Sequence, residues 1–430
     1  MGQPLTDRDI VVVGQQPWDT KLGSNCKDIA LEFSRHNRVL YVNAPLDRNT
    51  VLRGRHEPAV QQRLRVIRGE EPGLEAVADN LWVLTPDCIL ESINWLPASG
   101  LHSLLNKFNN KRFAKAIRKG IAALNFQNFL LFNDNDIFRS FHLKEMLRPD
   151  LSLYYSRDFI LAGGYWRKHG LRLEPALIAK SDLCVANSSY LADYCRRHNP
   201  QSFDVGQGCD AALFLPRALA ARPADLPAAS GPLIGYVGAL VSSRLDIDLL
   251  VYLAQQRPQW HIVLVGPEDD AFKASALHGP ANVHFLGMKP TDQLSDYVQH
   301  FDVCLNPQVV NQLTIGNYPR KVDEYLALGK PVVATRTEAM RVFADYTYLA
   351  ETKADYLALI EQALGEDSPV RQQQRREFAA THTWPHSVAR IYDAIAQHYA
   401  QRAPTTATVG TARRPSAVPS TYPLAPTPAE

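Results

Sequence analysis

Residues 316–335 read GNYPRKVDEYLALGKPVVAT. Pro319 suits a first helical turn and Gly329 the left-handed stop after the last one. The β-branched run PVVAT at 331–335 then follows with no loop. A helix that ends directly on an apolar strand is half of a βαβ unit. The same kind of run precedes it at 232–238 (PLIGYVG), 261–266 (HIVLVG), 282–287 (NVHFLG) and 302–306 (DVCLN). Further upstream lie DIVVV (9–13), RVLYV (38–42), NLWVL (80–84), NFLLF (128–132), LSLYY (151–155) and DLCVA (182–186), with another strand expected over 64–68. None of these runs alternates apolar with polar, so they fit strands buried on both faces, and the helical stretches between them fit crossovers. The fold class is α/β, with two Rossmann-like parallel-sheet domains facing each other across a cleft.

A chain of 430 residues accommodates two such domains. With 46% apolar and 21% charged residues, it is neither wholly disordered nor fibrous. The longest uncharged run, 226–243, is broken by Pro, Gly and Ser and is no membrane span. The N-terminal residues enter a strand without a basic start, apolar stretch and cleavage site, which leads to the expectation of a cytoplasmic protein. Six cysteines are scattered with no CxxC pair and no Cys/His cluster at zinc spacing, so they read as buried thiols. Lys and Arg exceed Asp and Glu in the first 200 residues, and the balance reverses afterwards. This is a mild pointer to an anionic partner on the first half. Gly, Pro and Ala gather between Gly206 and Pro232, giving a first domain over 1–206 and a linker over 207–231. Residues 403–430, with six prolines among Thr, Ala and Ser, read as a disordered tail.

Four segments could carry chemistry. The turn GQQPWDTKLGSN (14–25) opens a helix capped by Ser24 and could offer backbone N–H groups to phosphate. It lacks GxGxxG, and a structural turn explains it equally well. In GALVSSRLDIDLL (238–250), Arg244 stands just ahead of a helix starting near Asp246, where its fork of donors suits a diphosphate. A surface pair with Asp246 or Asp248 is the ordinary alternative. In 316–335, Lys321 and Glu324 are three apart and would open into the cleft, or form a surface ion pair. In 101–124, Leu101, Leu104, Leu105, Phe108 and Ile117 recur beside Lys107, Lys111, Arg112, Lys115, Arg118 and Lys119. Packing favours an apolar stripe on the sheet with a solvated basic face, and contact with an anionic membrane could coexist with it.

The run PRKVDEYLALGKPVVAT, preceded by GYVGALVSSRLDIDLLVYLA, HIVLVGPE, NVHFLGMKPTDQLSDYV and FDVCLNP, resembles the nucleotide-binding half of GT-B glycosyltransferases of the retaining family 4 over about 232–380. The first half, with VVVGQQPW, GSNCKDIALEFSRHNRVLYVNAP and SDLCVANSSYLADY, is similar to the acceptor half, especially of the teichuronic acid and exopolysaccharide biosynthesis type. TWPHSVARIYDAI resembles the family's closing helix, which would place 381–402 back on the first domain.

The resemblance implies a nucleotide-sugar donor, a UDP-sugar being favoured, held mainly by the second domain. It further implies a glycan or lipid-linked acceptor on the first, no metal or other cofactor, and no nucleic-acid partner. By position, Glu324 would bind the ribose hydroxyls and Arg244 the diphosphate. Met288 and Lys289 would meet the base, Gly23 would approach the diphosphate, and Lys321 would join them at the helix start. The family's sugar-binding glutamate is replaced by Gly316, which passes sugar contact to Asn311 or Asn317, and its arginine after the first strand is Ala239. Asp158, in YYSRDF, is the candidate polar group at the acceptor. Transfer with retention would be same-face displacement, with Arg244 stabilising charge on the leaving diphosphate. The alternatives are a GT-B sugar-nucleotide epimerase, or a degenerate transferase acting as a nucleotide- or glycan-binding scaffold.

Overall fold

The computed structural model describes residues 5–20, 24–209, 222–228 and 230–402. Gly23, much of the 207–231 linker and the 403–430 tail lie outside the described residues. In the first half the strands are β1 (Asp9–Gly14), β2 (Arg38–Val42), β3 (Leu46–Asp47), β4 (Leu74–Ala78), β5 (Leu81–Leu84), β6 (Ile89–Leu90), β7 (Leu130–Asp134), β8 (Leu151–Ser156), β9 (Leu183–Ala186) and β10 (Ser202–Asp204). Eight of them form one sheet in the order β10-β9-β8-β7-β1-β2-β5-β4, while β3 and β6 make a small separate ladder. The second half contributes β11 (Leu233–Val237), β12 (His261–Val265), β13 (Val283–Gly287), β14 (Val303–Asn306), β15 (Val332–Thr335) and β16 (Tyr348–Ala350), ordered β13-β12-β11-β14-β15-β16 and parallel throughout.

Burial explains why the central strands read as unbroken apolar runs. Every residue of β1 is buried. One face of that strand meets Cys26, Ile29, Ala30 and Phe33 of the helix Asn25–Ser34, and the other meets Phe113, Ala114 and Ile117 of the helix Gly100–Ala123. A Val or Ile sheltered on both sides contributes roughly 1.5–3 kcal/mol by leaving water. Register follows the same logic, Ile10 lying opposite Val39 on one side and Leu130 on the other.

Three expectations need correction. Residues 64–68 are not a strand but the end of a helix, Pro58–Arg68. Pro58 stands in its first turn, Gly69 terminates it at φ 77°, and Val60 and Leu64, four apart, pack under it against Leu46. The strand expected from Asn128 starts at Leu130 and runs on to Asp134. Pro319 caps the helix Arg320–Ala327 from outside rather than sitting in its first turn. The antiparallel edge strand β4 escaped notice because four of its five residues are exposed, so it carries no buried pattern.

The helix over 101–124 is present as Gly100–Ala123, but it is rolled away from the expected face. Towards the protein it turns His102, Asn106, Asn109, Asn110, Phe113 and Ile117, leaving Leu101, Leu104 and Phe108 exposed. Polar clamps hold that orientation. Asn109 donates to Glu91 O at 2.9 Å and accepts from Glu91 N at 2.9 Å, while Asn110 donates to Phe138 O at 2.9 Å and accepts from His142 N at 2.8 Å.

The chain passes between the two sheets at two adjacent places. Cys209 pairs with Thr383 in a parallel bridge, and its N–H donates to His382 O at 2.9 Å. A Cβ on Gly208 would overlap the ring of Trp384. The helix that begins there, Trp384–Arg402, packs into the core of the first sheet: Tyr392 stacks on Phe33 at 5.7 Å and its hydroxyl accepts from Asn37 Nδ2 at 3.1 Å. Gly208→Ala is expected to lower stability by about 1–3 kcal/mol, because the added methyl meets ring and backbone atoms that cannot retreat separately. Urea unfolding of variant and parent measures it, and equal midpoints would show that the crossing has room to spare.

Candidate functional site

Parallel sheets deliver all their outgoing loops to one edge, and a crevice opens where the strand order reverses. In the second sheet that point lies between β11 and β14. The turn after β11 carries Arg244, which is exposed and whose guanidinium has no partner among the described residues. Asp246 is committed elsewhere, its side chain accepting from Leu249 N at 2.9 Å as the cap of the helix Ile247–Gln256. The turn is braced instead through its backbone. Val309 N donates to Arg244 O at 2.9 Å, and Asn311 Nδ2 donates to Ser243 O at 2.8 Å.

Beyond β14, the helix Arg320–Ala327 brings Lys321 and Glu324 to the same edge without pairing them. The Lys321 ammonium donates to Tyr236 Oη at 2.8 Å and lies 4.6 Å from the centre of that ring, directly under the exit of β11. A Cβ on Gly238, whose φ is 141°, would stand 3.0 Å from Nζ. Glu324 pairs one turn back, with Arg320 Nε donating to Oε1 at 3.1 Å, and its side chain is only 16% exposed. Burial pushes this carboxyl above its ordinary range, and Arg320 and then Lys321 oppose the shift. The arrangement is therefore a sheltered carboxylate flanked by two cations, not a surface pair between Lys321 and Glu324.

Asn317 is buried and its Oδ1 has no hydrogen-bond partner in the structure. Such an oxygen is costly unless a donor arrives. Beside it, Gly316 O accepts from Ser188 Oγ of the first domain at 3.0 Å, and a Cβ on Gly316 would overlap the ring of Tyr190. A side chain at position 316 is thus excluded locally, because Tyr190 occupies the space that it would need. Met288 is 78% exposed after β13, and Lys289 is engaged by Asp225 at 2.6 Å and lies over Tyr297. Neither side chain joins the group around Glu324.

In the first domain, Asp158 leaves β8 with its side chain 48% exposed. Its position is set by Asn135, whose Oδ1 accepts from Arg157 N at 3.1 Å and Asp158 N at 3.2 Å. Beneath it lies a buried ion pair, Arg157 Nε to Asp134 Oδ1 at 3.0 Å, with Asp134 wholly enclosed. Burial drives the Asp134 carboxyl up, with Arg157 the chief opposing influence. Ser156 Oγ, Asn187 Oδ1 and Gln16 Oε1 along the same edge are buried without partners. Asn135 Nδ2 also donates to Tyr154 Oη at 2.8 Å, which in turn donates to Glu174 Oε1 at 2.8 Å, while Tyr194 Oη donates to Oε2 at 3.2 Å. Burial pushes Glu174 up to about 7, against those two hydroxyl donors.

Sequence reasoning missed Arg320, Asp134, Asn135, Arg157 and Tyr190. The available signal was position alone, each standing at the end of a strand, directly after one, or at a helix start. Among the described residues no group of three or more His, Cys, Asp or Glu could hold a metal ion.

Residues 231–364 match the family model described as glycosyl transferases group 1. Over 223 residues the chain is 26% identical to TuaH of Bacillus subtilis strain 168, a protein assigned to teichuronic acid biosynthesis as a glycosyltransferase. That match takes in 49% of this chain and 56% of TuaH, little more than half the length of this curated relative. Among solved structures, sucrose-phosphate synthase from Thermosynechococcus elongatus superposes with a TM-score of 0.64 at 16% identity, over 92% of this chain and 100% of that one. Anabaena Alr3699/HepE in complex with UDP gives 0.61 at 14% identity, over 91% and 100%. The fold is GT-B: two parallel-sheet α/β domains with their strand exits facing one cleft.

The Glu174 network has a pH signature. A carboxyl whose folded-state pKa lies above its unfolded value of about 4.3 stabilises the fold fully only below that value, and the stabilisation is lost as pH rises towards about 7. Glu174→Gln cannot titrate. It should therefore gain on the parent between pH 4.5 and 7.5, by on the order of 1–3 kcal/mol in urea unfolding. An unchanged difference between the two pH values would contradict this reading.

Proposed function

We propose that this chain is a glycosyltransferase that moves a sugar from a nucleotide-sugar donor, a UDP-sugar being favoured, to an acceptor hydroxyl with retention and without a metal. The carrying observation is the group at the β11–β14 crevice, where sheltered Glu324 and Arg244, which has no partner among the described residues, fall inside the segment that matches group 1 glycosyl transferases. A carboxylate flanked by cations suits the two ribose hydroxyls, and a free guanidinium suits the diphosphate. The structure of the like-folded HepE holds UDP, which supports that base.

In this reading the bond from the sugar's anomeric carbon to the diphosphate oxygen breaks. The acceptor oxygen adds to the same face, and its proton passes to the departing diphosphate. Negative charge grows on the diphosphate, and Arg244, Lys321 and the N-terminus of the Ile247–Gln256 helix are the positive groups at that edge. Asn317 Oδ1 is available to a sugar hydroxyl. Asp158, held by Asn135, stands on the acceptor side. The acceptor is a glycan or a lipid-linked saccharide, and the pathway is cell-surface or exopolysaccharide biosynthesis on the cytoplasmic face of the membrane. Exposed Leu101, Leu104 and Phe108 beside Lys107, Lys111 and Lys115, which have no partner among the described residues, support peripheral contact with anionic lipid. No described helix is long and apolar enough to cross a membrane.

Incubation with UDP-, GDP- and ADP-sugars, followed by thermal shift and nucleotide release, tests the proposal. Stabilisation and release with one nucleotide class are expected, and indifference to all three would remove it. Arg244→Ala should weaken nucleoside diphosphate binding roughly ten- to a hundredfold, charge-assisted hydrogen bonds contributing about 1.5–3 kcal/mol, while nucleoside binding is unchanged. Equal losses for both ligands, by calorimetric titration, would place Arg244 away from the diphosphate.

A further inference from the structure

The first domain carries a groove of about 1310 Å³ that the donor reading leaves unused. Its apolar lining includes Leu52, Trp95, Leu101, Leu105, Tyr165 and Trp166. Leu52 is 71% exposed, Trp95 73%, Leu101 56% and Tyr165 62%. Large apolar side chains gathered on one exposed concave face mark a binding site more often than chance. Here the face is also built rigidly. The helix Gly100–Ala123 cannot roll its leucines inward, because Asn109 and Asn110 are clamped to the backbone of Glu91, Phe138 and His142. On the opposite wall, Trp95 O accepts from Lys168 Nζ at 2.6 Å and Asn94 O lies 3.1 Å from His169 Nε2.

The two ends of the groove differ in chemistry. Gln15 lines it where it meets the cleft, and the Gln15 side-chain amide donates to the carbonyl of Asn135, the residue that positions Asp158. Arg139 lines the groove as well, held by Asp136 at 2.8 Å. Around the rim, Arg48 and Arg112 both reach Glu91, so that carboxylate is more than neutralised, and Asp47 is used as a helix cap and as acceptor for Ser92 Oγ. Arg53 has no partner among the described residues. The rim is therefore net cationic above an apolar floor.

We propose that this groove binds the hydrocarbon chain of an anionic amphiphile, whose phosphate lies among the rim arginines and whose hydroxyl-bearing end reaches the cleft beside Asp158. The inference rests on the transfer reading and narrows its acceptor to a long-chain lipid phosphate carrying the accepting group. The lining also carries polar side chains, among them Asn49, Asn94 and Asn106, but exposed Leu52 and Leu101 offer a bare glycan nothing and match a hydrocarbon chain, and a flat bilayer surface would not fill a concave slot. The apolar floor and the cationic rim each account for one part of such a ligand.

The test titrates the full-length protein with octyl, decyl and dodecyl phosphate below their micelle concentrations, following Trp95 emission with Trp95→Phe as the control, and calorimetry for stoichiometry. One molecule per chain is expected, with a blue shift diminished in Trp95→Phe and absent when Trp166→Phe is added. Affinity should rise by up to about fourfold per added methylene, as burial of a CH₂ at about 0.8 kcal/mol implies. Inorganic phosphate should not compete, and dodecanol should bind at least tenfold more weakly than dodecyl phosphate. Leu52→Ser with Leu101→Ser, both at exposed positions, should lower affinity at least tenfold without changing the melting temperature or nucleotide affinity. Binding indifferent to chain length, or unaltered in the double variant, would overturn the proposal. So would vesicle co-sedimentation with no binding of monomeric alkyl phosphate, which would assign the face to the bilayer. Nucleotide titration of the same samples separates the two levels, since loss of the donor reading would show there and not in the alkyl series.

Discussion

The contact between Gly208 and Trp384, which leaves no room for a methyl group, sets how the two halves of this molecule face each other. The chain goes from the first sheet to the second through 207–209 and returns through 382–384, and the two passages are bonded side by side. A crossing without slack leaves few relative orientations of the sheets. Two further ties select among them. His382 lies 2.7 Å from the enclosed carboxylate of Asp323 on the Arg320–Ala327 helix, so the return passage is attached to the helix that carries Glu324. Ser188 and Tyr190 meet the second domain at Gly316. The strand exits of both sheets thereby face one space, with Arg244, Lys321 and Glu324 on the second domain's side of it and Asp158 on the first domain's.

Charge is divided between the halves in a way that fits a cleft where anionic charge develops. At the first domain's strand exits Asp134 and Arg157 are buried and matched, and breaking such a pair typically costs about 3–5 kcal/mol through the charge left behind. These groups shape the wall. In the second domain Arg244 is exposed with no partner among the described residues, and Lys321 donates to the phenol of Tyr236. A cation without a protein partner can respond to a ligand's charge, whereas one locked in a salt bridge must first lose its partner. Glu324 lies between these cases, since Arg320 keeps it company while burial makes its ionised form expensive, and hydroxyl donors would relieve that expense.

Most of the architecture was legible because burial on both faces leaves an unmistakable trace in a strand. The run 316–335 named a helix, its stop and the next strand from residue types alone. The failures have physical causes. Leu64 and Val66 are β-compatible residues, and only Pro58 and Gly69 distinguish the helix they lie in. Residues Leu74–Ala78 bury almost nothing, so an edge strand paired only by its backbone left no mark. The helix Gly100–Ala123 inverted the usual rule, because hydrogen bonds from Asn109 and Asn110 outweighed the pull to bury Leu101 and Leu104. At the candidate site, Lys321 and Glu324 were found together, but not that Lys321 turns to Tyr236 and that Arg320 takes the carboxylate. Those choices depend on residues far apart in sequence, and Tyr190 filling the space above Gly316 is another of the same kind.

In the proposed site the sheltered carboxylate of Glu324 is a ribose-binding group and not merely the mate of Arg320. Calorimetric titration of parent and Glu324→Gln with the nucleoside diphosphate and its 2′- and 3′-deoxy forms addresses it directly. A carboxylate accepting from two hydroxyls loses about 1.5–3 kcal/mol per missing bond. The parent is therefore expected to bind each deoxy form at least tenfold more weakly, and Glu324→Gln to bind the parent nucleotide at least tenfold more weakly while no longer distinguishing the deoxy forms. A parent indifferent to both hydroxyls, together with a variant that binds as the parent does, would contradict it.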